Sequence, residues 1–119
     1  MSDCIETFFD SWKIEESEAR LAKISSAVKK SICYSDPRAP ETLIGIDALN
    51  NYVGMFSANA PGWSAKVVKS DTVADVTRVT VEFGGIGPDG SNKAQLGQYF
   101  VEKEGDLVSR MVGFVGTGE

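Results

Sequence analysis

The sequence contains no histidine. That absence removes Ser-His-Asp and Cys-His nucleophilic mechanisms, the histidine general base, and the common zinc and non-haem iron ligand sets. Any catalysis must rest on carboxylates, tyrosine, lysine, arginine or backbone amides. Cysteine is scarce as well: Cys4 and Cys33 stand alone, without a repeated spacing and without flanking basic residues to activate either thiol. They are expected as a buried pair of reduced thiols. Met1-Ser2-Asp3 lacks the charged start and apolar run of a secretion signal, so a cytoplasmic location is expected. No apolar run approaches the roughly 18 residues of a membrane span. Basic tracts are missing too. Seventeen acidic against twelve basic side chains give a net charge of -5, which argues against phosphate neutralisation and hence against a nucleic-acid partner. The densest basic cluster is the pair Lys29-Lys30, placed by the reading below near a helix end, where it would complement the helix dipole.

What is present suits one domain spanning residues 1–119, since this length at 42% hydrophobic content supports a single core. Ile5, Phe8, Phe9 and Trp12 recur at i, i+3, i+4, i+7, one helix face, and Asp3 with Glu6 resembles a capping box. Ser17 is the expected cap of a second helix, with Leu21, Ile24 and Val28 on one face, running to about Ser31. Ile32 to Ser35 then reads as a short strand, and Pro37 forces Asp36 out of helical geometry. Arg38 to Ile44 reads as a loop punctuated by Pro40. A third helix begins near Asp47, with Leu49, Tyr52, Val53 and Phe56 at helical spacing. After Pro61-Gly62 the period changes to two: Ala65, Val67 and Lys69 in one strand, then Thr77, Val79, Val81 and Phe83 on one face of the next. Ala94 to Lys103 and Leu107 to Val115 alternate likewise around a Glu104-Gly105-Asp106 turn. Helices followed by strands give an α+β class, with helices packed on one face of a curved sheet.

Gly85-Ile86-Gly87-Pro88-Asp89-Gly90 has the letters of a dinucleotide fingerprint. That motif needs a helix N-terminus immediately afterwards to hold the pyrophosphate, whereas Ser91 onward alternates as a strand, so the segment reads as a hairpin turn. Asp36 is the sharper candidate. A carboxylate beside Tyr34, at a strand end next to apolar helices, would be desolvated and suited to general base or acid work, although an Asp-Pro pair also starts turns in which the aspartate bonds backbone amides. Tyr52, Phe56, Trp63, Phe83, Phe100 and Phe114 supply aromatic surface for a cavity or a core. Gly84, Gly85 and Gly97 would curve the strands enough to open a space. Arg20, Glu82, Gln98 and Arg110 read as solvent-facing or dimer-bridging polar residues.

Together, Trp12, Glu18-Ala19-Arg20, Tyr34-Ser35-Asp36-Pro37, Gly45-x-Asp47-Ala48-Leu49, Gly97-Gln98-Tyr99-Phe100 and Gly113-Phe114-Val115-Gly116 resemble the SnoaL-like branch of the nuclear transport factor 2-like superfamily. The resemblance spans nearly the whole chain in order. It implies a cone-shaped, cystatin-like α+β barrel: a curved antiparallel sheet wrapped around three N-terminal helices, enclosing a pocket and commonly dimerising through the convex sheet face. Its members include polyketide cyclases, ketosteroid isomerases, dehydratases, epoxide hydrolases and non-catalytic binding domains, so fold alone leaves function open. Asp36 matches the proton-shuttling aspartate of the isomerases. Their helix-one tyrosine falls on Phe8 and their late-strand acid near Gln98, which argues against a steroid isomerase. The resemblance therefore implies an interior site for a small, mostly apolar molecule bearing a carbonyl or hydroxyl. Asp36 would act as the base of a cofactor-free isomerase, cyclase or dehydratase, with Gln98 or Tyr34 donating to the ligand oxygen and Tyr52, Phe56, Trp63 and Phe114 lining the cavity. No metal or organic cofactor is needed for such proton transfer. The rival reading is a non-catalytic ligand-binding or dimerisation domain in which Asp36 only caps a loop.

Overall fold

A computed structural model describes residues 4–39, 41–59, 62–87 and 89–116. The expected roles of Asp3, Pro40, Pro61 and Pro88 lie outside them. Helix α1 (Cys4–Asp10) tightens into a 3-10 turn (Ser11–Lys13), and together they bury Ile5, Phe8, Phe9 and Trp12 on one face. Helix α2 (Ser17–Ala27) starts one residue earlier than expected, because Glu16 rather than Ser17 is the cap. Its carboxylate accepts from the amides of Glu18 and Ala19, an acidic group where the helix dipole favours one. The helix also ends earlier. Val28, β-branched and extended, stops it at Ala27 and opens strand β1 (Val28–Ser35), so Lys29 and Lys30 belong to a strand and not to a helix end. Lys29 instead faces Glu104 at 3.5 Å.

Gly45, at φ +95, turns the chain from a two-residue strand β2 (Leu43–Ile44), which interrupts the expected loop, into helix α3 (Ile46–Asn59). Four longer strands follow: β3 (Ser64–Val73), β4 (Val76–Ile86), β5 (Asn92–Glu104) and β6 (Leu107–Val115). The sheet order is β2-β1-β6-β5-β4-β3. All neighbours are antiparallel except β1 and β6, so the curved sheet is mixed. A register shift between Val67 and Lys69 adds curvature at the β3 edge. The glycine-rich segment is a β4–β5 hairpin: Ile86 pairs with Asn92, the Gly87 amide donates to the Ser91 carbonyl, and Gly90 takes φ +82. On β4 the alternation is as expected, with Thr77, Val79 and Val81 buried and Phe83 half-buried on the inner face.

The core lies between this inner face and the helices, built from Phe8, Phe9, Ile24, Leu49, Val53, Val79, Val81, Val101 and Met111 among others. Cys4 and Cys33 are each half-buried, on α1 and β1, rather than fully buried together. No helix among the described residues is long and apolar enough to cross a membrane.

Arg20, expected at the surface, is 95% buried, being 5% exposed. Its Nε donates to Asn50 Oδ1 at 2.8 Å and its Nη1 to the Ile14 and Glu15 carbonyls, while Asn50 Nδ2 donates to the Ser17 carbonyl and hydroxyl. The guanidinium thus joins α2, α3 and the turn before α2, with carbonyl oxygens taking the place of a carboxylate partner. It lies against Gly54, where an added Cβ would come within 2.5 Å of Nη2. Helix propensity alone favours Ala over Gly by about 1 kcal/mol. Because Arg20 is fixed at two nitrogens and cannot step aside, we expect Gly54→Ala to destabilise instead, by about 1–3 kcal/mol, read as a lower urea midpoint. A gain in midpoint would show that the guanidinium is not held as described.

Candidate functional site

Pro37 denies Asp36 a helical backbone, and the chain turns immediately after β1. The Asp36 Oδ1 accepts from the Arg38 and Ala39 amides at 2.8 and 2.9 Å, the turn geometry an Asp-Pro pair commonly adopts. The same carboxylate also meets two phenols. Tyr34, two residues earlier and on the same strand face, donates to Oδ2 at 2.6 Å. Tyr52, from α3, donates to both oxygens at 2.7 Å. A third phenol, Tyr99 of β5, stands 3.1 Å from the Tyr34 hydroxyl. A hydroxyl has one hydrogen, and that of Tyr34 is committed to Asp36, so Tyr99 is the donor and Tyr34 the acceptor in that pair. These are the three tyrosines of the whole sequence.

Strand order explains how Tyr34 and Tyr99 meet. β6 separates β1 from β5, and the cross-strand partner of Tyr99 is Gly113. An alanine Cβ there would lie 2.4 Å from the Tyr99 ring. The missing side chain lets the Tyr99 ring lie across β6 and reach Tyr34, with ring centroids 6.1 Å apart.

Beside this cluster is a cavity of about 740 Å³, bounded by the Asp36–Arg38 turn, Trp12, α3 (Tyr52, Met55, Phe56, Asn59), Trp63, and the inner and end positions of β4, β5 and β6, including Phe83, Gln95, Tyr99 and Phe114. The wall continues the aromatic core. Trp12 meets Phe56 at 5.0 Å and Phe83 at 5.4 Å between centroids, and Trp63 lies over Gly85, where a Cβ would clash with the indole. At the mouth, Arg38 Nη2 donates to Gln95 Oε1 at 2.8 Å. The indole N–H of Trp12 is buried and has no acceptor among the described residues.

Of the residues singled out from sequence, Asp36, Tyr52, Phe56, Trp63 and Phe114 all border the cavity. Phe114 does so at the end of β6, with its ring exposed and packed edge-on to Phe100. Tyr34 is fully buried behind the wall, so its contact is with Asp36 and Tyr99 rather than with a cavity occupant. Gln98 does not face the cavity. It pairs with Thr80 and Phe114 across the sheet, on the opposite face from Tyr99, and Nε2 donates to Thr80 Oγ1 at 3.4 Å. The oxygen-donor role expected of it is therefore not available from that position. Tyr99 was the residue missed, and strand parity with buried Val101 was the signal for it. Among the described residues no group of three or more His, Cys, Asp or Glu side chains is placed to hold a metal ion.

Burial raises all three phenols above the ordinary value of 10.0. Desolvation is the first cause in each. The bond to Asp36 adds to it at Tyr52, the charges of Tyr99 and Asp36 add to it at Tyr34, and the charge of Asp36 adds to it at Tyr99.

No family model matches the chain, and no curated protein matches it. Solved structures do. A proposed isomerase of the SnoaL-like family from Agrobacterium tumefaciens superposes with a TM-score of 0.79 at 21% identity, over 96% of this chain and 95% of that one. A protein with the ketosteroid isomerase-like fold from Catenulispora acidiphila, in complex with trimethylamine, gives 0.78 at 10% identity over 98% and 87%. A nuclear transport factor 2-like protein of unknown function from an Exiguobacterium gives 0.74 at 17% identity over 98% and 99%. At these identities the likeness establishes the fold: three helices and a curved six-stranded mixed sheet in the nuclear transport factor 2-like cone.

The phenol shifts have a measurable consequence. The folded protein keeps three protons that the unfolded chain releases as the pH passes about 10, so this contribution to stability is complete below that pH and is lost progressively above it. In an alkaline titration we expect phenolate absorbance to rise only together with loss of the near-ultraviolet circular dichroism. Phenolate developing near pH 10 in a still-folded protein would contradict the cluster.

Proposed function

We propose that this protein binds a small, mostly apolar molecule bearing a carbonyl or hydroxyl in the aromatic cavity, and that Asp36 is the proton acceptor of the site. The observation that carries this reading is a carboxylate at the wall of an aromatic cavity of about 740 Å³, of a size suited to a small organic ligand. Two of the similar structures support it by analogy of fold: one is a proposed isomerase, and one holds trimethylamine. The chemistry would be proton transfer without a cofactor. A proton leaving the ligand passes to the Tyr52 oxygen as the Tyr52 proton passes to Asp36, and the reverse path returns it to a different atom of the ligand.

One observation favours the non-catalytic alternative. Asp36 already accepts from two amides and two phenols, so it can receive a ligand proton only through rearrangement or through Tyr52. Hydrogen–deuterium exchange into a bound aromatic ketone or alcohol, followed by proton NMR, separates the two. Proton transfer predicts protein-dependent exchange at carbon that falls by about a hundredfold or more in Asp36→Asn. Exchange that is undiminished in Asp36→Asn removes the aspartate from the mechanism, and binding without any exchange leaves the non-catalytic reading.

The same reading includes a homodimer through the outer sheet face. Phe100 and Phe114, the latter at the end of β6 where it also borders the cavity, are 40% and 55% exposed, with their rings 5.8 Å apart. This is a patch whose burial is favourable. Sedimentation equilibrium should show a dimer for the native protein and a monomer for Phe100→Glu. A native monomer would remove the dimer from the proposal.

A further inference from the structure

The hydrogens of the site leave a particular kind of vacancy for a ligand. Tyr34 and Tyr52 direct their hydroxyl hydrogens at Asp36, and Tyr99 directs its own at Tyr34. No phenol hydrogen therefore points into the cavity. Oδ1 of Asp36 takes two amides and a share of Tyr52, while Oδ2 takes Tyr34 and the other share, so the carboxylate itself has little acceptor capacity left. What remains is on two phenols. Among the described residues the Tyr52 and Tyr99 oxygens accept no hydrogen bond, and both residues line the cavity. This end of the cavity is thus an acceptor surface, the opposite of the donor pair that would polarise a carbonyl.

We propose that the ligand is a hydroxyl compound, an alcohol, phenol or enol, whose O–H donates to Tyr52 or Tyr99, and that the site discriminates against the matching ketone and ether. Asp36 sets this preference by fixing the direction of the phenol hydrogens, so it acts here as a positioning residue. The cost of mismatch is that a carbonyl would bring its own lone pairs against phenol oxygens with no hydrogen between them.

The inference rests on the cavity-binding reading above, and a matched set of probes separates the two: a naphthol, its methyl ether and the corresponding acetylnaphthalene, titrated calorimetrically into the full chain. The naphthol should bind about tenfold more tightly than either of the others, as expected for one well-placed hydrogen bond. In Asp36→Asn the carboxamide nitrogen faces the phenol oxygens and donates to them, which releases phenol hydrogens toward the cavity. The acetylnaphthalene should then gain on the naphthol by about tenfold, whereas loss of structure alone would weaken all three probes together. A native protein that binds the ketone as well as the naphthol overturns the inference and leaves cavity binding intact, and so does a preference that Asp36→Asn leaves unchanged. If none of the three binds, the cavity-binding reading fails and this inference with it.

Discussion

One carboxylate ties a turn, two strands and a helix to a single point. Asp36 fixes its own turn through the Arg38 and Ala39 amides, β1 through Tyr34, α3 through Tyr52, and, one hydroxyl further on, β5 through Tyr99. Each of these donors would otherwise be a partly buried polar group without a partner, which is costlier than a satisfied bond is favourable. The network is also directional, because its terminus can only accept. Every hydrogen in it points inward toward the aspartate, and the chemistry offered to the cavity follows from that single fact.

The cavity is an extension of the core. Where the core is closed, the sheet contributes Val79, Val81, Val101 and Val108, small enough to let α1 and α2 approach. Toward the open end the side chains become rings, and rings that meet edge to face, as Trp12 does with Tyr52 and Phe56, are rigid and leave space between them. Two glycines help set the shape. Gly113 makes room for Tyr99, and Gly97 brings β5 close to the Phe114 carbonyl, where a Cβ would stand at 3.0 Å.

The architecture was legible where hydrophobic period was strong. The Ile5 to Trp12 face, the Leu49 to Phe56 face and the Thr77 to Phe83 alternation each appear in the structure as the sequence indicates. Sequence and structure part where a local choice depends on one residue against another of similar preference. Glu16 displaced Ser17 as a cap, and Val28 ended a helix that charged and polar residues could have continued. At the site, Asp36 and Tyr52 are legible in the sequence, whereas the pattern favours Gln98 over its neighbour Tyr99. In a strand adjacent residues face opposite ways, so a one-residue choice exchanges cavity for outer surface. Arg20 could not have been placed inside from pattern alone, since its partners are carbonyls and an asparagine from three separate segments.

The single parallel pairing, β1 with β6, has a bearing on how the molecule comes to exist. Tyr34 sits in the first long strand, and its neighbour Met111 arrives almost eighty positions later with the last one. While the chain is being made on a ribosome, the Asp36 turn and its helix can form early, but Tyr34 has no sheet behind it and no Tyr99 beside it. Contacts of such wide separation close late and slow the overall reaction. Until then the aromatic wall is open to water and to other nascent chains.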